Sequence, residues 1–274
     1  MIKSIAIVCT VFALTACTLK SPDAVRKAKI AKKMTEWCEK KATLAEETRI
    51  TVEALLERAG SKDCKTAGER LSNLTQLPLG KTNISDLAPI SDLTNLTKLN
   101  LSENNISNLA AISNLTNLTE LNLSENNISN LAAISDLTNL TKLNLEQNQI
   151  GDLQPLSKMA NLVQLGLSGN KIDDITLIAS FDKLEFLSLA SNQISDIKPL
   201  SNLINLNSLY LGENQIDDIQ PLASLTNLKQ LRLNDNEITD IKPLLNLANL
   251  TELNLQNNKI TEIKPLLKLN NLTI

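Results

Sequence analysis

The chain has 274 residues, 42% of them hydrophobic and 2% aromatic, with 27 Lys+Arg against 30 Asp+Glu and no histidine. That apolar content suffices for a core and excludes wholesale disorder, and a formal charge of −3 argues against nucleic acid as the partner. Without histidine there is no Ser-His-Asp or Cys-His catalysis, and four cysteines are too few to replace it in most zinc sites, so no enzyme, metal or cofactor is expected.

The N-terminus reads Met1-Ile2-Lys3, then an apolar run from Ile5 to Leu14 broken only by Thr10, then Leu14-Thr15-Ala16-Cys17. The run is roughly half of the ~20 residues a membrane span needs. Residues 1–17 therefore read as a secretory signal. Their end resembles the bacterial lipobox, in which an aliphatic residue, a small residue and Ala precede a lipid-carrying Cys. The resemblance implies that Cys17 carries more than one acyl chain, enough to hold the protein on the membrane outside the cytoplasm, in the cell envelope. Thr18 stands where Asp would signal retention, which by analogy with Gram-negative sorting favours the outer membrane. An ordinary cleaved signal with an incidental cysteine is the alternative.

Residues 18–70 form a segment of different composition, with 13 basic and 9 acidic residues. Ser21-Pro22-Asp23 is a helix start, with Ser as N-cap and Pro at the first helical position, and the helix is expected to run to about Lys41. A second helix is predicted over Arg49 to Ala59, stopped by Gly60, and a third short one with Ser61 as N-cap. Lys20, Arg26, Lys27, Lys29, Lys32 and Lys33 crowd the end nearest the lipid and read first as a solvated helix face, secondly as a contact with anionic headgroups. With Cys9 removed in the signal and Cys17 acylated, Cys38 and Cys64 remain as an even pair in an oxidising compartment. A disulfide between them is predicted, contributing on the order of 3 kcal/mol to a segment too short for a full core. Two buried free thiols are the alternative.

From Leu71 the chain repeats every 22 residues, giving nine units and a partial tenth from Leu269, so residues 71–274 form one repeat domain. The unit reads LxxLxxLxLxxNxIxxIxPLxx, a period and pattern that mark leucine-rich repeats. No unit can bury its leucines alone, so the units stack into a solenoid with one continuous core. Position 12 is Asn104, Asn126, Asn148, Asn170, Asn192, Asn214, Asn236 and Asn258, with Thr82 in the first unit. A buried stack of amides can satisfy backbone groups left unpaired where each strand turns away, so this column is structural. Asn-x-Ser/Thr triplets such as Asn95-Leu96-Thr97 follow from the repeat and are not read as glycosylation sites. Position 16 is acidic in seven units, from Asp86 to Glu262, with Asn108 and Asn130 between. Capping of the following turn is favoured there over a calcium column.

The unit resembles that of the internalin family of bacterial surface proteins, which share the 22-residue period, the N-x-I-x-D-I-x-P-L stretch and a helical cap ahead of the first repeat. The resemblance implies an α/β solenoid: a right-handed horseshoe with a parallel sheet on the concave face, short 3₁₀ or extended convex segments, and binding of proteins on the inner face. Two departures stand against inheriting a host-invasion role. The chain looks lipid-anchored where many internalins are wall-anchored, and no immunoglobulin-like domain follows the repeats.

Leucines at positions 7 and 9 point inward, so positions 6, 8 and 10 face the concave side. Most of that surface is polar. Phe186, Tyr210 and Arg232 stand on successive strands and are the residue types of protein-binding hot spots, so they are the candidate centre of a site, with Ser188, Lys229 and Glu185 as its rim. Phe181, by contrast, falls in a core leucine slot. The repeats carry 13 basic and 21 acidic residues, which favours a basic partner. The last unit begins without completing a strand, leaving self-association through an uncapped repeat open. The expected function is that of a lipid-anchored extracytoplasmic module that binds a protein or peptide on its concave face. A structural envelope or adhesion spacer without a saturable partner is the alternative. Carboxylate pairs such as Glu120 with Glu146 are the residual argument for chemistry.

Overall fold

The computed structural model describes residues 21–272; the signal segment and the proposed lipid site Cys17 lie outside them. Three helices precede the repeats: α1 (Pro22–Glu39), α2 (Glu46–Ala59) and α3 (Cys64–Leu71). The Ser21 hydroxyl accepts from the Ala24 N–H and Pro22 occupies the first turn, as a helix start requires. Ile30, Met34 and Cys38, four residues apart, form the buried stripe of α1. Gly60 ends α2 in the left-handed conformation, φ 61°, which glycine adopts without steric cost.

Two local expectations need correction. The N-cap of α3 is Asp63, whose carboxylate accepts from the Thr66 N–H, and Ser61 only supports the preceding turn by accepting from the Asp63 N–H. Both polar side chains can cap, but the helix begins at Cys64, so the residue directly before it takes the N-cap place. The second helix also starts earlier, at Glu46, with Glu46 and Glu47 favourably placed in its first turn.

The Cys38–Cys64 disulfide joins α1 to α3, with Cα atoms 5.4 Å apart. Close helix contact continues at Gly68, where a Cβ would lie 2.4 Å from the Ala31 carbonyl oxygen, so α1 and α3 can approach only because that side chain is absent.

The repeats form nine strands, β1 to β9: Gln76–Pro78, Lys98–Asn100, Glu120–Asn122, Lys142–Asn144, Gln164–Gly166, Phe186–Ser188, Ser208–Tyr210, Gln230–Arg232 and Glu252–Asn254. They pair in parallel and in sequence order, each residue opposite the one 22 positions on, as in Gln164↔Phe186. A 3₁₀ turn behind each strand carries the chain to the next coil. The leucines and isoleucines of every coil merge into one core that also takes in Ile30, Met34 and Leu55 of the helices. Phe181 fills a leucine slot in it.

The asparagine column is the backbone's main side-chain partner. Asn126 is representative: its Nδ2 donates to the carbonyls of Leu101, Leu123 and Ser124, and the Asn148 Oδ1 accepts from the Ile128 N–H. Each amide thus ties its own coil to the one before it. In the first unit the Thr82 hydroxyl donates to the Leu79 carbonyl instead. The acidic column caps, as in Asp196 Oδ1 accepting from the Lys198 N–H, and Asn108 and Asn130 do the same.

A second amide column escaped the sequence reading. At position 3, Asn95, Asn117, Asn139, Asn161, Asn205, Asn227, Asn249 and Asn271 each donate to a carbonyl 23 residues back. Lys183 replaces it in one unit and donates to Asn161 Oδ1. At the last described coil Leu269 is buried, while Ile263 and Leu267 stay exposed.

Candidate functional site

The concave face divides into two regions. Over β2 to β4 the strands are occupied with one another. Lys98 and Lys142 flank Glu120 at 2.9 and 3.7 Å, and these contacts hold the Glu120 carboxyl below its ordinary pKa, the Lys98 hydrogen bond most strongly. A carboxylate kept ionised between two lysines is a poor general acid.

Structural side chains complete this region. Asn100, Asn122 and Asn144 each accept from the N–H two residues on, and Thr97, Thr119 and Thr141 donate to the carbonyl of the preceding coil. A groove of about 480 Å³ follows these strands and ends against Phe186.

On β5 to β8 that framework is abandoned. The threonine column gives way to Val163, Glu185, Asn207 and Lys229, and the asparagines of position 8 to Gly166, Ser188, Tyr210 and Arg232. Both columns return on β9 with Thr251 and Asn254. Side chains that hold the backbone elsewhere are replaced together over four adjoining strands by side chains that do not, and the sheet register continues unbroken through them.

The replacements touch. The rings of Phe186 and Tyr210 meet edge to face, centroids 5.5 Å apart and planes at 89°. The Arg232 guanidinium lies over the Tyr210 ring, 4.6 Å from its centroid. The Tyr210 hydroxyl donates to Gln230 Oε1, which also accepts from Ser208 Oγ. Gln230, which pins the tyrosine, was not singled out from sequence; its position-6 place beside Tyr210 was the available signal. Phe186 and Tyr210 are half-buried and Arg232 is exposed.

Among the expected rim residues, Glu185 and Lys229 are exposed at the strand ends, but Ser188 is not a rim residue. It is only 4% accessible, a short side chain opposite the bulky Tyr210 of the next strand, with its hydroxyl bonded to that of Ser168. The charge expectation also changes. Positions 6, 8 and 10 carry Lys98, Lys142 and Arg232 against Glu120, Glu146 and Glu252, so the acidic excess of the repeats lies off this face.

The family model for leucine-rich repeats in two copies matches residues 94–138, 116–158, 138–180, 182–224 and 226–268. An internalin (inlF) from Listeria monocytogenes is 35% identical with a TM-score of 0.78, covering 82% of this chain and 67% of that one. The chain belongs to the internalin-like leucine-rich repeat proteins. A second Listeria internalin, inlC2, is 31% identical with a TM-score of 0.64 and is covered over 89% of its length, against 81% of this chain. The ectodomain of the Arabidopsis thaliana receptor kinase GASSHO1/SCHENGEN3, solved in complex with CASPARIAN STRIP INTEGRITY FACTOR 2, is 29% identical with a TM-score of 0.62 over 72% of this chain and 26% of that one. No curated protein sequence matches this internalin-like chain.

Proposed function

We propose that this internalin-like chain is a lipid-anchored extracytoplasmic module that captures a protein or peptide partner on the concave face and catalyses no reaction. The observation that carries the reading is the contiguous Phe186–Tyr210–Arg232 patch, standing where four successive strands give up the side chains that hold their neighbours. Aromatic and arginine side chains on a rigid sheet lose little freedom on binding and supply the anchors from which interfaces are built. The plant receptor ectodomain in complex with its factor provides a parallel for ligand capture by this fold. The lipid anchor rests on the Leu14-Thr15-Ala16-Cys17 motif.

A photocrosslinking side chain placed at Ser208, between Phe186 and Gln230, tests the site in cells. A discrete, saturable product from Ser208 and none from Lys198, in the 3₁₀ turn behind the sheet, is expected. Equal crosslinking from both, or none that saturates, returns the protein to the spacer alternative. Cys17→Ser tests the anchor separately and is expected to release the chain from the membrane fraction.

A further inference from the structure

The patch differs from the rest of the concave face in what its polar groups offer. Lys98 and Lys142 are both paired with Glu120, but Arg232 and Lys229 have no ion pair among the described residues, although Glu185 and Glu252 border the patch. Among the described residues the Arg232 guanidinium makes no hydrogen bond, and it stacks on the Tyr210 ring. Stacking orients a guanidinium without using its N–H groups, so its donors remain available to a ligand. Gln230 adds to them: its Oε1 is taken by the hydroxyls of Tyr210 and Ser208, which leaves the Nε2 donor. Arg232 and Gln230 lie on one strand, two residues apart and therefore on the same face of the sheet. Beside these donors stand the half-buried rings of Phe186 and Tyr210. The surface is thus donor-rich and cationic on one side and aromatic on the other.

We propose that this patch binds an acidic residue of the partner that adjoins an aromatic or branched aliphatic residue. The carboxylate meets Arg232 and the Gln230 amide, and the apolar neighbour packs on Phe186 and Tyr210. The proposal rests on the protein-binding reading above and gives it a charge opposite to the one that the overall acidity of the repeats suggests. Charge-assisted hydrogen bonds from a planar fork favour a carboxylate over an amide of the same shape.

Tyr210 is the only tyrosine of the chain, so the full chain labelled with fluorotyrosine reports the patch by a single fluorine resonance. The probes are the capped dipeptides acetyl-Glu-Phe-amide, acetyl-Gln-Phe-amide and acetyl-Lys-Phe-amide. The Glu-Phe probe is expected to shift the resonance saturably and to bind about tenfold more tightly than Gln-Phe. Lys-Phe is expected to give no saturable shift. Arg232→Gln is expected to abolish the preference for Glu over Gln while keeping a weak response to the Phe side chain, with an unchanged melting temperature showing that the variant is folded. Equal binding of Glu-Phe and Gln-Phe, tighter binding of Lys-Phe, or no shift with any of the three overturns the proposal. Crosslinking from Ser208 reads the wider claim independently. A partner captured there together with a failed dipeptide series rejects the acidic ligand and keeps the concave face as the binding surface.

Discussion

The Thr51 hydroxyl, buried in α2, donates to the backbone carbonyl of Asp86 at 2.6 Å, so the helical segment is fastened to the first repeat by a residue that also caps a turn. Thr48 Oγ1 donates to Asp86 Oδ2, also at 2.6 Å, while Asp86 Oδ1 accepts from the Ala88 N–H. The equivalent Asp152 caps Gln154 and, among the described residues, makes no hydrogen bond to an α-helix.

Asp86→Ala is therefore expected to cost more than Asp152→Ala, by about 1 kcal/mol for the additional hydrogen bond to Thr48. Chemical denaturation of the two variants measures the difference, and hydrogen exchange should place the extra loss in α2 and the first unit. Equal costs would show that the Thr48 hydrogen bond adds nothing to docking beyond apolar contact and the Thr51 bond to the backbone.

The two amide columns should differ in weight. Asn148 is buried, and its loss leaves the Ile128 N–H without that partner, while the Leu123 and Leu145 carbonyls keep the amides of Asn126 and Asn170. Asn148→Ala is expected to cost about 2 kcal/mol, since the buried Ile128 N–H carries its desolvation penalty and two carbonyl contacts are lost beside it. Asn139 donates to the Thr116 carbonyl in an exposed position, and Asn139→Ala is expected to cost about 1 kcal/mol or less, because water can replace the lost donor. Thermal unfolding of the pair decides between them.

Glu120 supplies a pH dependence. Its folded pKa lies below the ordinary 4.5, so its contribution to stability is fully present above that value and is lost as pH falls through the lower, folded one. With a third of the side chain exposed, the contribution is held to about 0.5 kcal/mol. Glu120→Gln should be slightly less stable than the parent at pH 7 and indistinguishable from it at acid pH where the carboxyl is protonated. A difference that persists or grows in acid would contradict the assignment to Lys98 and Lys142.

Much of this was legible because the repeat forces residues 22 apart into the same environment: the strand register, the position-12 amides and the position-16 caps follow from columns of letters. Phe186, Tyr210 and Arg232 were legible for the same reason, as departures from their columns. Ser188 was not, since alternation says which way a side chain points and nothing of what closes over it. The position-3 amides were present as a column, but their acceptors belong to the preceding coil and leave no local signal. The Thr51–Asp86 contact joins residues 35 apart in sequence with no repeating pattern between them. For α3, two polar residues two positions apart both had the chemistry of a cap, and the first helical residue, Cys64, directly follows Asp63.

The account depends most on Phe186 and Tyr210 serving a ligand and not the core. The direct measurement is the double variant Phe186→Ser/Tyr210→Ser, assayed for affinity toward the partner crosslinked from Ser208 and for its melting temperature. At least a hundredfold loss of affinity is expected, about the cost of one hot-spot anchor or more, with the melting temperature shifted by no more than about 4 °C. Retained capture together with a large fall in melting temperature would show that the two rings belong to the packing of the solenoid and that the partner, if one binds, does so elsewhere.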